Sequence, residues 1–273
     1  MECLVLRMRY ALMICCCLLG VSNANAGPLA LEPRHWKPFL VLESTDMDLA
    51  LSEQVMAAAG NANLSPGDWT ALALELIVKY ERNAVRSGRL LGYLHVAMHD
   101  AAVVAAQKGL SLGQIEVSVY LAAAEAMTYL FPLEAEALFE HHAAEGLARA
   151  YPNDWPRLMD DSSSARQVAR AIGEALLRRA RNDGAERVWP ISERPVPFPG
   201  MFEGTPPLFA FNPLEVSAGS WLTWVEGSGA ELDIMDPLEY GSTAFHEALD
   251  EVIQVARSLT AEQLNIAEKW HLD

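Results

Sequence analysis

Between residues 86 and 106 the chain reads RSGRLLGYLHVAMHDAAVVAA, a stretch almost without polar side chains. At 3.6 residues per turn it makes about six helical turns. A helix that is apolar nearly all round is buried on every side, so the rest of the fold has to wrap it. Plotted at about 100° per residue, Leu91, Leu94, Met98, Ala101 and Ala105 fall on one stripe. Tyr93, Val96, Asp100 and Val103 fall on roughly the opposite one. Asp100 therefore points into protein, where an isolated carboxylate costs several kcal/mol. It needs a cation or several hydrogen bonds, and Arg82, Arg86 and Arg89 are the nearest cations in sequence. His95 and His99 share a third stripe beside Gly88 and Gly92, a side on which another helix can come close.

Helical signals continue on both flanks. Residues 46–59 form a first helix candidate, closed by Gly60 and Asn61. Ser65-Pro66-Gly67-Asp68 supplies a cap, a proline at the first helical position and an acid in the first turn. Trp69, Leu72, Ala73, Leu76, Ile77 and Tyr80 follow at amphipathic spacing. After a turn at 109–113, an alanine-rich helix over 115–130 stops at Phe131-Pro132, and another is expected over 133–150. Asp160-Asp161-Ser162 is expected to cap a long helix through Leu176, ended by Asn182-Asp183-Gly184. Short connections favour antiparallel neighbours. The fold class expected is all-α, an antiparallel helical bundle over 46–184.

From 185 to 241 the character changes, with eight prolines and three tryptophans, Trp189, Trp221 and Trp224. A stretch of that length without regular structure is unusual in a compact protein. It is read as a shell packed on the helices, because its aromatics would otherwise be exposed. Helical pattern resumes at 242–273, where Ser242 and Thr243 cap one helix and Thr260 with Gln263 forms a capping box for the next. That last pattern has no stop signal, so a truncated second bundle is expected there, with self-association through its exposed apolar residues.

The opening residues have the layout of a secretory signal peptide: Arg7 and Arg9, an apolar run over 10–20, and Ala24-Asn25-Ala26 before cleavage. The apolar run is shorter than a bilayer span, so a secreted or periplasmic protein is expected, with an extended, proline-containing arm over 27–45. Cys3, Cys15, Cys16 and Cys17 all lie in the signal. The mature chain would hold no disulfide and would depend on its core. The formal net charge is −16, and losing Glu2, Arg7 and Arg9 with the signal makes it one unit more negative. Such a chain has no electrostatic route to nucleic acid or anionic lipid.

An arginine-led helix ending in LHVAMHDA, NDGA at 182–185, GTPP at 204–207 and SLTAEQLNIAEKWHLD at 258–273 occur in that order. Together they resemble the N-terminal helical portion of vanadium-dependent haloperoxidases and their relatives among the type 2 phosphatidic acid phosphatases. The resemblance implies halide oxidation by peroxide at bound vanadate, or phosphate monoester hydrolysis, in an intact relative. It also implies that the lysine, arginines, Ser-Gly-His segment and further histidine of the oxyanion site lie C-terminal to the matched region. This chain has no Ser-Gly-His and no lysine six residues ahead of an Arg-Pro. No residue here inherits a catalytic, cofactor or metal role from the family, and no cofactor is expected in this chain. A non-catalytic helical interaction or scaffold protein is the alternative.

Other candidates have simpler structural readings. Arg187 lies six residues ahead of Arg194-Pro195, but has arginine for lysine and sits in the proline-rich segment. His95 and His99, at i and i+4, are half of a metal site, yet Val-Ala-Met between them offers no general base, and Asp100 is expected to face elsewhere. They are read as core histidines. His141 and His142 project in two directions and are read as surface residues, while His246 and His271 have no supporting neighbours. Arg82, Arg86 and Arg89 are explained by Glu75, Glu81 and Asp100 as charge partners. Gly227-Ser228-Gly229 lacks the strand that a nucleophile elbow needs.

Overall fold

The computed structural model describes residues 39–40, 64–190, 193, 199–204, 213–224 and 236–270. The signal segment, most of the arm and the helix expected at 46–59 lie outside the described residues. All regular structure among the described residues is helical, and none of these helices is long and apolar enough to cross a membrane. The chain divides into two compact units, Met1–Asp183 and Gly184–Asp273.

In the first unit, Pro66 opens α1 (Pro66–Lys79), which buries Trp69, Ala73 and Leu76. These positions are spaced to make one apolar stripe. Its far end is a Schellman turn: Arg82 N–H donates to the Ile77 carbonyl at 3.0 Å, with Glu81 left-handed at φ 48°. A side chain in that conformation costs roughly 1 kcal/mol. Glu81→Gly is accordingly expected to raise stability by about 0.5–1 kcal/mol, read from the urea midpoint.

Asn83 caps α2 (Ala84–Gln107) by accepting a hydrogen bond from Arg86 N at 2.9 Å. Of the two stripes read in sequence, Leu94, Val96, Ala101, Val103 and Ala105 have no exposed surface, Tyr93, Met98 and Asp100 are buried, and Leu91 is half-buried. A short connection returns the chain as α3 (Leu112–Leu130), antiparallel to α2. This helix starts earlier than the sequence suggested, because Gln114 Oε1 accepts from Ser111 N at 3.0 Å. The alanines of α2 and α3 let the two backbones pack closely.

The helix expected over 133–150 is broken. Pro132 starts a 3-10 turn, Pro132–Glu134, and a π-helical stretch follows over Ala137–Ala143 before α4 (Ala144–Ala150). A short helix, α5 (Trp155–Met159), precedes α6 (Ser164–Ala180). The cap of α6 is Ser163, accepting from Arg166 N at 3.1 Å. Asp160, proposed for that role, instead closes the preceding turn by accepting from Ser162 N. α6 buries Val168, Ala169, Ile172 and Leu176. It meets α3 closely at Gly173, where a Cβ would lie 2.9 Å from Glu125 Cβ.

In the second unit Trp221 is buried and its indole N–H donates to Ser217 Oγ at 3.2 Å, while Trp189 and Trp224 are half-buried. Ser242 caps α7 (Thr243–Ser258), accepting from Phe245 N. The capping box read at Thr260 and Gln263 forms in both directions and opens α8 (Ala261–Trp270). Leu264 and Ile266 on α8 are each 50% exposed.

Candidate functional site

Three buried carboxylates organise the first unit. Asp100, fully buried in the middle of α2, accepts from Phe39 N at 2.9 Å, Leu40 N at 2.6 Å and His99 Nδ1 at 2.9 Å. The ring of His99 packs on Phe39 with centroids 5.4 Å apart. The expectation of multiple bonds to Asp100 holds, but its partners are not the expected arginines. Two backbone amides of the N-terminal arm and the adjacent histidine fill its lone pairs. His99 and Asp100 therefore act together, contrary to the sequence reading that set them apart.

On the neighbouring helix α3, Glu116 anchors the chain in the same way. It accepts from the Leu64 amide and, at 2.6 Å, from Tyr151 Oη. No sequence signal marked it, because one glutamate in an amphipathic helix is ordinary until the chain ahead of α1 is seen to cross it.

Asp183, in the turn after α6, accepts from Arg89 Nε at 2.7 Å and Tyr93 Oη at 2.8 Å. Arg89 Nη2 also donates to the Ala180 carbonyl at 3.1 Å, so one guanidinium satisfies both a carboxylate and a helix-end carbonyl. Burial opposes the Arg89 charge, but the bond to Asp183 and the negative charge of that carboxylate, with smaller contributions from Tyr93 and Tyr129, together raise the pKa. Burial first, then the carboxylate, holds the Tyr93 phenol protonated far above its usual range. Arg89 is thus the partner of Asp183 and not of Asp100. The link also sets α6 antiparallel to α2.

His95 lies apart from this chemistry. Its Nε2 is 3.1 Å from Thr70 Oγ1, and burial lowers its pKa, as for a neutral core histidine. Among the described residues no group of three or more His, Cys, Asp or Glu side chains is placed to hold a metal.

His142 corrects the surface reading. The π turn sets its ring 4.5 Å from that of fully buried Trp69, and burial lowers its pKa. His141 stays exposed. The near match at Arg187 is an exposed ion pair with Glu193, with contacts of 2.9 and 2.7 Å. Arg194 and His271 lie outside the described residues, and His246 meets its neighbour Phe245 edge-on.

Vanadate or phosphate requires several uncommitted donors converging on one tetrahedral anion. Arg89, Arg166, Arg170 and Arg187 are each engaged by carboxylates, on Asp183, Glu125 and Asp161, Asp161, and Glu193 respectively. These four guanidinium groups are therefore committed to carboxylates and do not converge on such an anion.

Fold and interior together define an all-α helical-bundle protein with carboxylate-anchored connections. No protein-family model, curated protein or solved structure gave a significant match to the chain.

Proposed function

We propose that this chain forms a supporting helical body of the kind found N-terminal to the oxyanion site in vanadium haloperoxidases and the related acid phosphatases. One observation carries the reading. Two of the stretches that bear the resemblance, the arginine-led helix and NDGA, meet through Asp183, Arg89 and Tyr93. Their role is then to lock α6 onto α2, and chemistry belongs to residues beyond them. The purified chain, given orthovanadate, is expected neither to oxidise bromide with peroxide nor to hydrolyse p-nitrophenyl phosphate above buffer rates. Turnover that Arg187→Ala abolishes would overturn this.

A non-catalytic interaction protein is the second reading, favoured by the exposed apolar side chains Leu249, Val252 and Val255 of α7. Sequencing the DNA downstream of codon 273 separates the two. A lysine six residues ahead of Arg-Pro, followed by Pro-Ser-Gly-His, supports the first, and an immediate stop codon supports the second.

A further inference from the structure

A cleft of about 240 Å³ opens in the first unit at the start of α1, lined by Leu64, Ser65, Asp68, Tyr120, Gly146 and Arg149. That volume holds several water molecules or one small organic molecule. One wall is built by α4, which follows directly on the π-helical stretch. π turns are uncommon and concentrate at functional sites, because the wider turn redirects side chains that an α-helix would place elsewhere. Here the widened turn carries His142 onto Trp69, and the His142 carbonyl accepts from Tyr120 Oη at 3.3 Å. Tyr120 lies directly over Gly146, where a Cβ would come within 2.6 Å of its Cζ, so only glycine leaves room for the phenol. Burial pushes the phenol up to about 12, which keeps it a hydrogen-bond donor.

Two further observations set the cleft apart from an ordinary surface fold. Behind it, the buried Trp69 Nε1 and His142 Nε2 have no hydrogen-bond partner, an arrangement that native interiors seldom tolerate. At its mouth, Asp68 and Arg149 are exposed, opposite in charge, and in no ion pair among the described residues. Glu75 and Glu145 add negative potential at His142. A simple anion entering here meets Asp68, and a simple cation meets Arg149. A molecule bearing both charges satisfies both.

We propose that this cleft binds a small zwitterion of the α-amino-acid type, its carboxylate on Arg149 and its ammonium group on Asp68. The inference is independent of the function proposed above, since it uses neither the buried carboxylates nor the resemblance.

The test is titration calorimetry of the full chain with glycine, L-alanine and L-glutamine, and with acetate, phosphate and methylammonium as single-charge probes. At least one amino acid is expected to bind with a Kd of about 1 mM or tighter. The single-charge probes should bind at least about tenfold more weakly, the equivalent of one lost polar contact. Arg149→Ala and Asp68→Asn alter exposed side chains, so circular dichroism should stay unchanged while each weakens amino-acid binding about tenfold. The proposal is overturned if no amino acid binds, if acetate or phosphate binds as tightly, or if either folded variant keeps full affinity.

Discussion

Asp100→Ala is expected to lower unfolding free energy by about 2–4 kcal/mol, with Asp100→Asn roughly halfway between it and the parent. The carboxylate is fully buried and carries three hydrogen bonds, to Phe39 N, Leu40 N and His99 Nδ1. Hydrogen bonds to a charged group are each worth about 1.5–3 kcal/mol. The lower part of the range is set by the partly exposed position of residues 39–40, whose amides can recover some bonding to water. A local readout accompanies the global one. The Phe39 and Leu40 amides should lose hydrogen-exchange protection before the rest of the bundle does.

Asp183→Ala should cost more, about 3–5 kcal/mol, since it strands Arg89 as a charge in a largely apolar interior. Arg89 is only 14% exposed and lies over the Tyr93 ring, with 4.9 Å from guanidinium carbon to centroid. Removing the carboxylate also breaks the hydrogen bond that the Tyr93 phenol donates to it. Both losses fall where α6 ends and Gly184 turns the chain at φ 86°. The thermal midpoint should therefore fall steeply, and circular dichroism should show lost helix if α6 frays.

The helices were legible because their signals are local. The apolar run of α2, the Pro66 start of α1 and the Thr260–Gln263 box each depend on neighbours within a few residues. The position of Asp100 was legible too, since burial follows from its stripe. Its partners were not, because Phe39 and Leu40 lie about sixty positions away and donate through backbone, which any residue type can do. Proximity in sequence pointed to arginines, whereas the true cation pair, Arg89 with Asp183, spans more than ninety positions.

His142 escaped for a different reason. Projecting 137–143 as an α-helix places it wrongly, and the π turn that redirects it has no sequence marker. The cleft by Asp68 and Arg149 shared that obscurity, since it depends on which face of α4 the turn presents. Tyr120 over Gly146 could have been suspected, as a glycine inside a helix often marks a close approach.

The claim that the resemblance-bearing stretches hold the fold together rests most directly on Arg89 and Asp183. Urea denaturation of Arg89→Ala, Asp183→Ala and the double variant forms a thermodynamic cycle that isolates their coupling. The expected result is a loss of about 3–5 kcal/mol for Asp183→Ala, a smaller further loss in the double variant than additivity gives, and a coupling above about 1 kcal/mol. Additive effects, or single variants as stable as the parent, would contradict it.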